Sequence, residues 1–250
     1  MVCHSQESSV TTLVHGTGEP IEKENLVQFR LLYSGSLLGA GKSDTRASLK
    51  HEIRLEFHPQ LKRLWATNQS LLDLAQFRAR SLEEAHPGAA QKELRPNLSP
   101  GEAERWTEGE LAMLGLRWIA EKWERCGRGY IPLVTEEMCI RCSLDILFLR
   151  PEEPGLIIQG GDIDNRMKTL FDALRMPSNL AEAGGEKGKE GDEPIYCLLQ
   201  DDRLISEIRI VTDHLLLLPH SKEFHSNDVF LVIDVKLNPT PQSKYQFWMA

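Results

Sequence analysis

No hydrophobic run in this sequence is long enough to cross a bilayer, and its first residues lack the basic-then-apolar order of a signal peptide. A soluble, cytoplasmic protein with no membrane partner is therefore expected. Cysteine is scarce. Five in 250 residues, an odd count without an export signal, argue against a disulfide framework. Positive charge is also short: the net charge of -8 argues against a nonspecific nucleic-acid coat, which needs a basic surface. The deficit is uneven, however. Acidic residues gather at Glu19, Glu22 and Glu24, and again from Glu182 to Glu193, whereas Arg46, Lys50, Arg54, Lys62 and Arg63 make one stretch locally basic. A polyanion has a place to bind there.

A chain that is 41% hydrophobic at this length can bury one good core with a smaller appendage. Residues 1–25 are polar and aperiodic and read as a disordered tail. Their Cys3, His4 and His15 lack metal-site spacing. Residues 26–237 read as a single α+β domain with a mixed or antiparallel sheet packed against helices. A helical insertion is expected at about 66–130, a mobile acidic loop at 177–194, and a C-terminal tail at 238–250.

Within that frame, residues 26–33 (LVQFRLLY) predict a strand. Pro59 suits the first turn of a helix running to about Arg80, and a second helix is expected over 104–126. Trp106, Trp118 and Trp123 at helical spacing read as core or interface residues rather than base-stacking platforms. Residues 138–149 alternate as a half-buried strand, which sends Cys139 and Cys142 to opposite faces and excludes a shared zinc. Two further strands are expected over 204–211 and 229–237.

One phosphate-binding motif is nearly present. LGAGKSD, residues 38–44, resembles the end of a P-loop, but the glycine required five residues before Gly41 is Ser36. A Gly–Lys–Ser loop after a strand is the better description, with Lys42 facing a phosphate or solvent. FLVID, residues 230–234, could serve as the acidic strand that such enzymes use for Mg²⁺.

The stretch that carries chemistry is GGDIDNRMKTLFDALRM, residues 160–176. Met167, Leu170, Phe171 and Leu174 make one apolar helix face, while Asp164, Lys168 and Asp172 recur at i, i+4 and i+8 on the other. Asp162 or Asp164 is placed to cap the helix start. A solvated Asp–Lys pair alone is worth a few tenths of a kcal/mol and explains little. Two carboxylates spaced D-x-D, with Asp201–Asp202 downstream, supply the oxygen donors that a hard divalent ion takes. An EF-hand is excluded, because counting from Asp162 position six is Met167 and position twelve is Ala173.

The pattern DIDNRMKTLFDAL (162–174) followed by QDDRLISEIRI (200–210) resembles the RusA-type Holliday junction resolvases. The resemblance covers about 138–237. It implies a RusA-like α+β fold and a dimeric, Mg²⁺-dependent endonuclease (Mn²⁺ a substitute) that cuts branched or four-way junction DNA in recombination and repair. Asp162, Asp164 and Asp202 would then hold the metal, with Lys168 the catalytic cation beside them. Asn165, Asp172 and Asp201 would support that set, and Lys42, Arg46, Lys50 and Arg54 are the candidate DNA contacts. Relative to that family the chain is long and acidic, so a catalytically inactive DNA-binding relative is the alternative, and a P-loop nucleotide-binding protein a lesser one.

Overall fold

The computed structural model describes residues 27–39, 44–73, 76, 120, 122–151, 163–185, 188–189, 192–216, 225 and 227–239. In chain order these form β1 (Val27–Ser36), α1 (Asp44–Thr67), β2 (Trp123–Arg125), β3 (Arg128–Val134), β4 (Ile140–Arg150), α2 (Ile163–Leu174), β5 (Ile195–Leu199), a 3₁₀ turn (Asp202–Leu204), β6 (Ile205–His214) and β7 (Asp228–Pro239). The class is α+β with mixed sheets. No helix among the described residues is long and apolar enough to cross a membrane.

Four strands make the larger sheet, in the order β1-β7-β4-β6. β7 is antiparallel to both of its neighbours, and β6 is parallel to β4. The chain leaves β4, builds α2 and β5, and returns as β6. A parallel pair needs such a crossover. Strict alternation explains the burial: Val229, Leu231, Ile233, Val235 and Leu237 of β7 are all buried, and so are Ile140, Cys142, Leu144, Ile146 and Phe148 of β4. Against this face pack Met167, Leu170 and Leu174 of α2 and an every-fourth-residue stripe of α1, Ile53, Phe57, Leu61 and Trp65.

The smaller sheet has the order β2-β3-β5. β2 and β3 form a hairpin around Cys126 and Gly127, whose φ values of 52° and 72° suit a type I′ turn. This corrects the expected helix over 104–126, because its last residues, Trp123–Arg125, are extended. Residues 104–119, with Trp106 and Trp118, lie outside the described residues, as do both tails apart from Asn238 and Pro239. The described parts of the expected insertion are helical at 66–67 and 69–73 and a hairpin at 123–130.

α1 also differs from expectation. It begins at Asp44, so Pro59 lies in its interior. Proline there removes one amide donor and leaves the carbonyl of residue 55 without its helical partner. Leu55 is 42% exposed, so water can replace that bond. The adjacent Gln60 is used instead: its amide donates to the Leu32 carbonyl at 2.7 Å and its oxygen accepts from the Leu32 N–H at 2.9 Å. This occupies the free edge of β1 at that residue.

Candidate functional site

α2 starts close to the loop that follows β1. A Cβ added to Gly39 would sit 3.3 Å from the Asn165 Cβ, so a larger residue there would push against the first turn of α2. Asp164 stands in that first turn, where a carboxylate also complements the free N–H groups of the helix. Its Oδ2 lies 3.6 Å from the Lys168 Nζ, one turn on, and the two side chains are 58% and 62% exposed. This is an open pair that an incoming phosphate can reach.

The double aspartate follows β5. Asp201 caps the 3₁₀ turn: its Oδ1 accepts from the Arg203 N–H at 3.0 Å and from Arg203 Nε at 2.8 Å. The Arg203 side chain is the largest influence on the Asp201 carboxyl and, against modest burial, lowers its pKa. Asp202 is exposed and makes no ion pair with a described residue. One aspartate is thus committed to the turn while its neighbour is open to solvent. α2 lies against this turn, and its Met167 and Leu170 belong to the same core cluster as Leu204.

Not everything converges. Among the described residues no three His, Cys, Asp or Glu side chains are grouped so as to hold a metal ion, so Asp164 does not join Asp201 and Asp202 in such a set. Asp162 and Lys42 lie outside the described residues. The field of Asp202 reaches Arg175, just past the C-terminal end of α2, whereas Asp164 belongs to the other end.

Two of the candidate DNA contacts need correction. Arg54 is fully buried. Its Nε donates to the Arg175 carbonyl at 3.0 Å, Nη1 to the Glu182 carbonyl at 2.8 Å and Nη2 to the Asp172 carbonyl at 2.8 Å. The guanidinium therefore satisfies two carbonyls left open at the end of α2, where a cation also complements the helix dipole, and ties them to the turn at Glu182. Lys50 is bound by carboxylates on two sides, Asp172 Oδ2 at 2.7 Å and Glu182 Oε1 at 3.0 Å, with its side chain 11% exposed. Burial works against its charge, but those two partners prevail and its pKa is raised. Neither cation is available to a phosphate. Arg46 sits on the same helix and is half-buried.

Asp172 is likewise a partner of Lys50 and Arg175 rather than of Lys168. Glu182 completes the network, accepting from the Ser178 N–H at 3.0 Å, the Ser178 hydroxyl at 2.9 Å and Lys50. Burial alone would raise its carboxyl, yet these partners and Arg175 hold it at about 2. The first half of the expected mobile loop is consequently built: residues 178–185 are turns clamped by Glu182, and Gly184 (φ +94°) passes so close to His51 that an added Cβ would meet the ring at 2.7 Å. Isolated acidic residues in a Gly-rich segment carry no sequence signal for this. Arg203, 75% exposed beside the double aspartate, is a further cation near the site, and its place directly after Asp202 is visible in the chain.

The network sets an acid limit on the fold. His51 is lowered to about 4 by burial first and then by the Arg54 and Arg128 charges. His51 and Glu182 both bind protons more readily in the unfolded chain, so their stabilisation is complete above pH 6.5. The His51 share is lost as pH falls from about 6.5 towards 4, and the Glu182 share as it falls from about 4.5 towards 2. Chemical denaturation at pH 7 and pH 4 is expected to differ by on the order of 2 kcal/mol, discounted for partial exposure. His51→Asn should flatten the upper part of that slope. An unchanged slope would remove His51 from the account.

Comparison with protein-family models, with curated proteins and with solved structures finds no match.

Proposed function

We propose that this chain is a divalent-metal-dependent endonuclease that hydrolyses phosphodiester bonds in branched DNA, such as a four-way junction, and acts as a homodimer. The observation that carries the reading is the exposed Asp164–Lys168 pair on a helix packed against the turn that leaves Asp202 open to solvent. The described part of the pattern that resembles the RusA-type resolvases, Asp164, Asn165, Lys168 and Asp201–Asp202, lies between β4 and β6 of one crossover, which supports the reading. The donor type suits a hard ion: Asp162 and Asp164 would offer carboxylate oxygens at the start of α2, and Asp202, exposed toward its other end, would have to be brought nearer to join them. Bound there, Mg²⁺ or Mn²⁺ would activate a water and offset charge on the phosphate.

The side chains supply the rest. The Lys168 ammonium, held one turn from Asp164, presents a compact cation to a phosphate oxygen or to the leaving oxygen. Arg203 adds an exposed guanidinium beside the double aspartate, suited to positioning a second phosphate. Lys168→Ala is expected to lower kcat by about 100-fold with the substrate KM little changed, since it removes charge stabilisation more than binding. A loss confined to KM would reassign Lys168 to binding.

The direct test incubates a labelled four-way junction, a fork and a linear duplex with the protein and Mg²⁺, Mn²⁺ or a chelator. Metal-dependent nicking of the branched substrates is expected, and its absence on every substrate would sink the enzyme reading. The dispersal of the described carboxylates favours a second reading, a non-catalytic module of the same fold. That module would bind branched DNA without cutting it, and binding would survive Asp164→Asn and Asp202→Asn. A P-loop enzyme is disfavoured by topology: β1 is an edge strand, and β7, which contains residues 230–234, runs antiparallel to it.

A further inference from the structure

Among the described residues, helices α1 and α2 pack on one face of the larger sheet, and its other face is striped. The register puts Leu32, Val232, Leu147 and Val211 in one row across all four strands, and three of them are 48%, 36% and 40% exposed (Leu32, Leu147 and Val211). Monomers rarely leave such a row open. Two residues along the strands lies a row of charges already neutralised sideways: Arg30 Nε is 2.6 Å from Asp234, and Arg209 Nη1 is 2.8 Å from Asp145. The next row reads Lys236, Ser143 and Glu207 on β7, β4 and β6. A face with its charges paired off offers little to a polyanion and suits protein.

The order of those charges points to which protein. On β7, β4 and β6 one row runs Lys236, Ser143, Glu207 and the next runs Asp234, Asp145, Arg209. Each row carries opposite charge at its two ends, and the sense reverses between rows. A two-fold axis along β4 therefore lays Lys236 over Glu207 of a second copy and Asp234 over its Arg209. The same axis lays Val232 over Val211, and Leu147 over its own equivalent. Asp145 faces itself there, its charge met by Arg209. Isologous pairing of this kind is how closed dimers form. Three strands about 4.8 Å apart over some ten residues of about 3.4 Å present roughly 500 Å² per copy, so the pair reaches the ~1,000 Å² that stable association needs.

We infer that the open face of the β1-β7-β4-β6 sheet is the dimer interface, with a second copy stacked on it sheet to sheet so that α1 and α2 lie on the outside. The homodimer is part of the reading above, but this surface is argued from the strands alone. In this arrangement the two Asp164–Lys168 pairs project from opposite outer layers, away from the shared face.

Sedimentation equilibrium on the full chain, without DNA or metal, tests it separately from nuclease activity. The wild type is expected to be dimeric at roughly 10 µM, and Leu147→Glu to weaken dimerisation at least about 100-fold with its thermal transition retained. Lys236→Glu should weaken it about tenfold, and adding Glu207→Lys should restore it, because the swapped charges meet again across the axis. A monomeric wild type, a Leu147→Glu variant that dimerises normally, or a charge swap without rescue would each overturn the assignment. Loss of dimer with nicking intact would uphold the interface and uncouple it from cutting. A dimer that never nicks DNA would uphold it and count against the nuclease alone.

Discussion

Asp164→Asn is expected to lower metal-dependent cleavage of branched DNA by about a thousandfold or more, at unchanged fold. The substitution keeps the size and shape of the side chain and removes one unit of negative charge. A hard divalent ion takes carboxylate oxygens in preference to a neutral amide, and several kcal/mol of charge stabilisation depend on holding it. At ~1.4 kcal/mol per factor of ten, losing even part of that gives the predicted drop. The structural cost is small, because Asp164 is 58% exposed and its 3.6 Å contact with Lys168 is an i, i+4 surface pair worth about 0.3–0.5 kcal/mol. Initial rates at saturating Mg²⁺, with thermal transitions of both proteins, make the comparison. Cleavage within about tenfold of wild type would exclude Asp164 from the metal site. Asp201→Asn provides the internal contrast: its carboxylate is committed to Arg203 and the 3₁₀ turn, so it should alter stability more than cleavage.

Arg54→Met carries the largest expected effect on the fold, a loss of about 3–5 kcal/mol. Methionine matches the length of the stem but offers no donors. The carbonyls of Asp172, Arg175 and Glu182 each lose a bond of 2.8–3.0 Å in a place sealed from water. A buried acceptor deprived of its donor costs about 1–3 kcal/mol, and three cluster here. Against a total stability of about 5–15 kcal/mol this is a large fraction, and the melting temperature should fall by roughly 10 °C. Arg54→Lys should recover little, since an ammonium cannot aim three donors along the guanidinium fork. Hydrogen exchange should show residues 178–185 released first, because Arg54 and Glu182 bind them to α1. A loss below about 1 kcal/mol would mean that water replaces the guanidinium easily. Because Arg54 faces inward, any residual DNA binding should keep its dependence on salt, unlike a phosphate contact.

Both predictions concern residues that look alike in the chain, and the reason they differ shows what a sequence can carry. Periodicity is a sound guide to α2, β7 and most of β4, because each buries one face against one core, but it starts β4 two residues early: Met138 and Cys139 lie in a turn, Cys139 at φ 51°. It misplaced the start of α1. There Lys50, His51 and Arg54 interrupt the apolar stripe, and Pro59 looked like a beginning because proline is comfortable in a first turn. The hairpin at 123–130 was lost for a related reason: a two-residue turn on Cys126 and Gly127 lacks the Asn-Gly or Asp-Gly pair that usually marks it.

The candidate site divides in the same way. Asp164, Lys168 and Asp202 are legible because D-x-D, a lysine one turn later and a double aspartate are local patterns. The roles of Asp172, Lys50, Arg54 and Glu182 are not local. They come from positions 132 residues apart meeting at one helix end, as in the Lys50–Glu182 bond, and charge on a helix reads the same in a sequence whether it faces water or a row of carbonyls.

The order of residues alone determined the α+β class, the strands of the larger sheet and the acidic pattern on α2, since each follows from short-range spacing and the need to hide apolar side chains. Only the tertiary structure decided which cations are spent inside the fold and which face of the larger sheet α1 and α2 cover. Those outcomes depend on which distant segments lie within hydrogen-bond reach, and chain spacing does not encode that distance.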